Sequence, residues 1–246
     1  MYKSTTYNFI LQPLANTLED AVQTMSVIED GMQSYQIADW VMPTIFLKMT
    51  GAQEQKLKCI YWDLGSMDLD ERYQRFSDKV GEMSCYDEKC EVCIDLIHFL
   101  NCRKVGFNQA TDIDRAGFLQ GAIEEVNRIC ASSLLKTWYA DYYKDYEEVA
   151  ASFKTEEIVE WNGNEGKKWR GLFKGNLKLA FDAMYSHRNR CAHNSTSFQQ
   201  NLPRFEVLSG ANAIYENYFV RFLVLILLDK LYMSLYKMAI NLPEFE

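Results

Sequence analysis

Only 4 prolines and 12 glycines interrupt 246 residues, so the backbone has few places where a helix is forced to stop. Apolar residues recur at helical intervals through most of the chain, and no strand alternation persists. The expected fold class is therefore all-α. Apolar residues make up 48% and charged residues 24%, which suits a chain that buries a substantial core. A single domain over 1–246 is expected, with acidic N-terminal helices in 1–110 and C-terminal helices in 111–246.

The periodicity divides the chain into segments. Leu14, Leu18, Val22 and Met25 predict a helix from about Leu14 to Tyr35, and Asp39 is placed to cap a second one starting near Trp40. Pro43 would then sit in its early turns, where a missing N–H is tolerated. Ile45, Met49, Leu57, Ile60, Tyr61 and Leu64 continue the apolar stripe. Asp68 and Glu71 form an acidic helix-start signature for Arg72 to Val80. Further helices are expected from Glu88 to Leu100 and, with a break, from Asp114 to Ala150. A polar connection, Asn101 to Thr111, separates them. Thr155 to Lys167 reads as a loop, Trp169 to His193 as a helix, and Ala211 to Ala239 as the last helix.

Within that last helix the apolar run Val220 to Leu228 is interrupted by Arg221 and closed by Asp229. It falls far short of the roughly 20 residues that span a bilayer. A helix apolar nearly all round is expected in the core, so no membrane partner is expected. Seven cysteines, an odd number without a regular framework, fit reduced thiols. The opening Met1-Tyr2-Lys3-Ser4 lacks a secretory signal, and the expected location is cytoplasmic. Cys85, Cys90, Cys93 and Cys102 raise the question of zinc. However, Cys90 and Cys93 lie in a helical pattern without a second such pair, so no metal is expected.

The net charge of −8 excludes a protein that coats nucleic acid by charge alone. The deficit is local: residues 1–100 hold 8 Lys and Arg against 16 Asp and Glu, while 101–246 hold 18 of each. From Gly166 to His193 the basic residues Lys167, Lys168, Arg170, Lys174, Lys178, Arg188 and Arg190 face Asp182 alone. Such a stripe suits a polyanion, although charge runs are usually solvated helix faces.

The segment richest in chemistry is Phe181-Asp182-Ala183-Met184-Tyr185-Ser186-His187-Arg188-Asn189-Arg190-Cys191-Ala192-His193-Asn194. Histidine suits proton transfer near neutrality, and arginine presents a permanently charged fork matched to phosphate oxygens. Tyr185, Asn189 and His193 step by four and share a helical face, so Asn189 is placed to orient the His193 ring. Arg188 lies about 140° away from His193 round an ideal helix. Either Arg188 swings its side chain or His193 sits at a distorted helix end. The plain alternative is a solvating Arg188 and a His193 that satisfies a carbonyl. His187, beside Arg188, is a candidate second proton-transfer group, but it reads more readily as a structural histidine facing Cys191. Tyr185 suits base stacking or core packing equally well. The run Trp138, Tyr139, Tyr142, Tyr143 and Tyr146 has the spacing of a packing face.

Arg188 and His193 with four residues between them, and the polar Asn189 after the arginine, resemble the Arg-polar-x3-His motif of HEPN ribonucleases (higher eukaryotes and prokaryotes nucleotide-binding). The fuller string Arg-Asn-x-x-Ala-His-Asn is similar to segments of abortive-infection and toxin members. The likeness covers about a dozen residues, and elsewhere it is one of helical architecture. It implies a HEPN-like helical bundle with additional helices and a metal-independent endoribonuclease without a cofactor. The RNA 2′-hydroxyl would attack the adjacent phosphate and leave a 2′,3′-cyclic phosphate. Arg188 would steady the phosphate, His193 would move the proton and Asn189 would position one of them. RNA contacts would come from Lys167, Lys168, Arg170, Lys174, Arg190 and Tyr185. One motif per chain implies a homodimer with a composite site. The setting implied is a toxin or phage-defence system, with an antitoxin or defence-system partner protein. In toxins held by nucleotidyltransferase antitoxins a tyrosine often stands two residues after the motif histidine. Here that position is Ser195, so this form of regulation is not implied. Some HEPN domains are instead non-catalytic helical modules that dimerise and bind a nucleotide or a partner protein, which is the rival reading.

Overall fold

The most apolar stretch of the sequence becomes the axis of the fold. In the computed structural model it forms a helix, Tyr218–Ile240, whose residues from Phe219 to Asp229 are all buried. The structure describes residues 6–27, 31–67, 83–131, 133–160, 171–193 and 213–241; the side chains of 32–36, 67, 160 and 193 lie outside that description. In chain order the elements are α1 Tyr7–Ile10, α2 Ala15–Ser26, α3 Met32–Met67, α4 Tyr86–Arg103, α5 Gln109–Asp112, α6 Arg115–Cys130, α7 Leu134–Trp138 and α8 Ala140–Ser152. Strands β1 Ile158–Glu160 and β2 Gly171–Phe173, then α9 Gly175–His193 and α10 Tyr218–Ile240, complete the series. The fold is all-α with one small antiparallel ribbon, Ile158 opposite Phe173 and Glu160 opposite Gly171.

Helix α10 packs against α3, α4, α6, α8 and α9, so it is surrounded. Each Leu, Val or Phe buried in this way contributes roughly 1.5–3 kcal/mol. Among the described residues no helix is long and apolar enough to cross a membrane.

Several boundaries differ from the sequence expectation. Helix α3 begins at Met32 and runs through Trp40 and Pro43 without a break, so Asp39 is not its cap. Ala38, Met42 and Phe46 step by four and are buried, and that packing carries the helix past the proline. Asp39 instead accepts a hydrogen bond from the Tyr139 hydroxyl at 2.9 Å. The expected helix over Arg72 to Val80 lies outside the described residues. The start expected at Trp169 is replaced by β2, because Gly171 to Phe173 pair with β1. Three residues are too few for alternation to register in a sequence. The Tyr86 hydroxyl completes the ribbon edge, accepting from the Phe173 N–H and donating to its carbonyl, both at 2.8 Å.

Several helix starts are satisfied by side chains, which accept from the orphan N–H groups there. Asp114 caps α6 and Asn217 caps α10. Cys85 caps α4: its sulfur accepts from the Glu88 N–H at 3.5 Å, while the Glu88 carboxylate accepts from Cys85 and Ser84. Helix α9 borrows a cap from elsewhere. Glu157, in the 3-10 turn before β1, accepts from the Asn176 N–H at 3.1 Å and the Leu177 N–H at 3.3 Å. Gly175, at φ 57°, leaves the room this requires, since a Cβ there would lie 2.2 Å from Glu157 Oε1.

Two charges on α10 turn inward. Asp229 bonds Lys56 of α3 at 2.6 Å and accepts from the Leu14 N–H at 2.7 Å. The Lys56 amine also donates to the Gln12 carbonyl. Removing one partner of a buried pair leaves the other uncompensated. Asp229→Ala should therefore lower unfolding stability by about 3–5 kcal/mol in urea titrations. A loss below about 1 kcal/mol, the range of exposed pairs, would show that the site is hydrated.

Candidate active site

Helix α9 carries the motif and is fixed by its apolar face: Leu177, Ala180, Phe181, Met184 and Tyr185 are buried. It packs on α3 and α10. Arg188 emerges three residues after Tyr185, and His193 is the last residue of the helix. The His193 side chain lies outside the described residues, as do Lys167, Lys168 and Arg170.

Arg188 swings toward α3. Its Nη2 donates to Glu54 Oε2 at 2.8 Å, and its Nη1 donates to Asn189 Oδ1 at 3.3 Å. The pair is largely enclosed, with 18% of the Arg188 side chain and 11% of the Glu54 side chain exposed. Asn189, expected to position either Arg188 or His193, meets Arg188. Behind the pair lies Lys89 of α4, wholly buried. Its amine donates to Gln53 Oε1 at 2.6 Å and to the Met83 carbonyl at 2.7 Å, and it stands 5.0 Å from the centre of the Tyr185 ring. Burial first, and then the Arg188 charge, pull the Lys89 amine down to about 7 against the opposing pull of Glu54.

Among the described residues Gln53 Nε2 is buried without a hydrogen-bond partner, and the buried Glu54 Oε1 and Tyr185 hydroxyl have none beyond each other. Burial, followed by the Glu54 charge, pushes the Tyr185 phenol up. Met83 adds backbone strain, being buried at φ 55° with its carbonyl committed to Lys89. Orphaned polar groups, a displaced lysine and a strained residue therefore converge on Arg188. Such clusters concentrate at functional sites.

Sequence reasoning missed Glu54, Gln53 and Lys89. One signal existed: Met49, Gln53 and Leu57 step by four, so a polar residue stands where the α3 stripe calls for an apolar one. Lys89 stands likewise four before Cys93, on the buried face of α4.

The described residues of the basic stripe and Tyr185 have the following surroundings. Tyr185 is 7% exposed and stacks on Phe181 with ring centres 4.7 Å apart, so it packs rather than offering a base platform. Arg190 is bound to Glu216 at 3.0 Å, and Arg221 of α10 binds the same carboxylate. Lys178 is paired with Asp182 and sits over the Tyr86 ring. Lys178, Arg188 and Arg190 are therefore each matched by a carboxylate, and Lys174 lines a cleft of about 960 Å³ with Gln109, Arg115, Thr155 and Val159. That cleft lies at the opposite end of α9 from the motif. Tyr143 and Tyr146 are buried and both donate to Asn127 at 3.0 Å, whereas Tyr142 is exposed. Cys90 and Cys93 are buried on α4. Among the described residues no three His, Cys, Asp or Glu side chains gather as a metal site.

His187 belongs to the interior. Its Nε2 is 2.8 Å from the Tyr218 hydroxyl and 3.4 Å from Cys191 Sγ, and its Nδ1 accepts from Arg190 at 3.4 Å. Burial, with Arg221 and Arg190 adding repulsion, pulls the ring down to about 3, so it is neutral near pH 7. A proton donor at neutral pH is not available there.

No protein-family model matches the chain, and neither a curated protein nor a solved structure does.

The buried His187 yields a pH prediction. The folded ring stays unprotonated well below 6.5, whereas the unfolded ring takes up a proton there, so stability is lost as pH falls from about 6.5 toward 3. Between pH 7 and pH 5 the wild type should lose about 2 kcal/mol more than a His187→Asn variant, read from urea melts. Parallel pH profiles for the two proteins would mean that the folded ring titrates normally.

Proposed function

We propose that the chain is a metal-independent endoribonuclease of the HEPN type. The observation that carries this reading is the placement of Arg188. The motif arginine lies at the centre of the orphaned polar cluster on α3, α4 and α9, and His193 follows at the end of the same helix. In this reading the RNA 2′-hydroxyl loses its proton and attacks the adjacent phosphorus. The bond to the 5′-oxygen breaks, and a 2′,3′-cyclic phosphate and a 5′-hydroxyl remain. Arg188 steadies the phosphate charge, and His193 moves the proton.

The Arg188–His193 spacing on a continuous helix supports a two-fold dimer, in which facing motif helices bring both copies of Arg188 and of His193 to one cleft. A cytoplasmic toxin or phage-defence setting, with an antitoxin or defence partner, follows the same resemblance. One observation favours the rival reading of a non-catalytic helical module that binds a nucleotide or a partner protein: Glu54 already occupies one arm of Arg188.

The same assay separates the two. Purified protein should cleave total RNA in EDTA and leave cyclic phosphate ends. Arg188→Ala and His193→Ala should each lose on the order of 100-fold or more in rate while melting as cooperatively as wild type. Wild-type rates in both variants would assign the cleavage to a contaminant or to other residues.

A further inference from the structure

We propose that Glu54 is the positioning residue of the Arg188 site, holding the guanidinium of α9 at the height and angle at which it meets a phosphate. The inference rests on the ribonuclease reading and assigns to it a residue from a different helix.

Four observations carry it. First, the contact is single: one Glu54 oxygen meets one Arg188 nitrogen at 2.8 Å. Of the five N–H donors of a guanidinium, Glu54 and Asn189 engage two, and three remain to receive phosphate oxygens. A bidentate clamp would have used the fork up.

Second, the surroundings are poorly arranged for a pair that serves stability alone. Among the described residues Gln53 Nε2 is buried without a partner, and Glu54 Oε1 and the Tyr185 hydroxyl are buried with no partner beyond each other. An enclosed ion pair seldom outdoes apolar side chains of similar volume even when fully satisfied. Third, Glu54 is ion-paired to Arg188 and lies next to Gln53, which binds the Lys89 amine, so the cluster does not present a bare carboxylate to an incoming phosphate. Fourth, Arg188 and His193 diverge by about 140° round an ideal helix. A long side chain with that freedom has to be held from outside α9, and Glu54 reaches it across 134 positions of sequence.

A positioning carboxylate acts on the turnover step more than on binding. It aligns the guanidinium, yet its own charge does not attract RNA. The test measures kcat for RNA cleavage in EDTA together with Kd for an uncleavable oligonucleotide carrying a 2′-deoxy linkage. The proteins are wild type, Glu54→Gln and Glu54→Ala, and thermal melts give the folded fraction of each. Glu54→Gln should fold and lower kcat by about tenfold, and Glu54→Ala by about 100-fold, as expected for a misaligned reacting group. Kd should stay within about threefold of wild type or tighten, since removing a carboxylate does not weaken phosphate binding. Wild-type kcat in Glu54→Gln overturns the proposal whatever the alanine variant does. Loss of kcat matched by an equal loss of affinity overturns it as well, because Glu54 would then support the binding surface. A wild-type protein that leaves RNA intact overturns the ribonuclease reading itself, a result distinguishable from cleavage that is indifferent to Glu54.

Discussion

The constraint on which the rest of the structure depends is the burial of α10 on every side. A cylinder of Leu, Val, Ile and Phe is held strongly by its surroundings, but it is held in no particular rotation. Its few polar groups supply the register. Arg221 meets Glu216, Asp229 meets Lys56 and the Leu14 N–H, the Tyr232 hydroxyl meets the Lys89 carbonyl, and the Tyr236 hydroxyl meets Asp63. Each finds its partner on a different neighbour or at a different height. A one-residue slip would strand all of them in the core, where an unpaired polar group costs about 1–3 kcal/mol and a charge more.

The motif helix is held by the same means. Glu157 fixes its first turn, Glu54 holds Arg188, and Glu216 takes Arg190. What counts in sequence as a run of positive charge becomes, among the described residues, mostly a row of matched pairs. The carboxylates come from α3, from the turn before α10 and from α9 itself. The acidic excess of the first hundred residues thus has a structural use, since part of it neutralises the motif helix. Arg188 and Arg190 both sit in enclosed pairs with buried polar atoms left unpartnered nearby, whereas Lys178–Asp182 is an exposed pair of the ordinary helical kind.

Much of this was legible beforehand. The scarcity of helix breakers gave the all-α class, the apolar run of α10 gave the buried axis, and residues 175–193 showed their helical character and chemistry together. The illegible part has a common cause. Glu54, Lys89 and Glu216 are ordinary polar residues until the helices are packed, and nothing local says which cation each will face. Tyr185 shows the same limit from the other side. Its type suits either a base or a core, and only the stacking of Phe181 against it decides. The start of α3 was misplaced because Pro43 and Asp39 carry strong local signals, which the burial of Ala38, Met42 and Phe46 overrides. The ribbon of β1 and β2 was too short to leave a pattern.

The position of α10 in the sequence has a consequence for how the chain reaches its fold. The backbone N–H of Leu14 bonds the side chain of Asp229, 215 positions later, and Lys56 waits on the same carboxylate. A chain emerging from the ribosome therefore makes α3, α4, α6, α8 and α9 before the helix they enclose. Until Tyr218–Ile240 arrives, their inner faces have no permanent occupant, and Lys56 lacks the Asp229 carboxylate that it meets in the finished core. Contacts this distant in sequence slow folding and prolong the exposure of apolar surface. During synthesis the emerging chain is thus a ring of helices awaiting its centre, and a chaperone that shields apolar grooves would find its substrate in that interval.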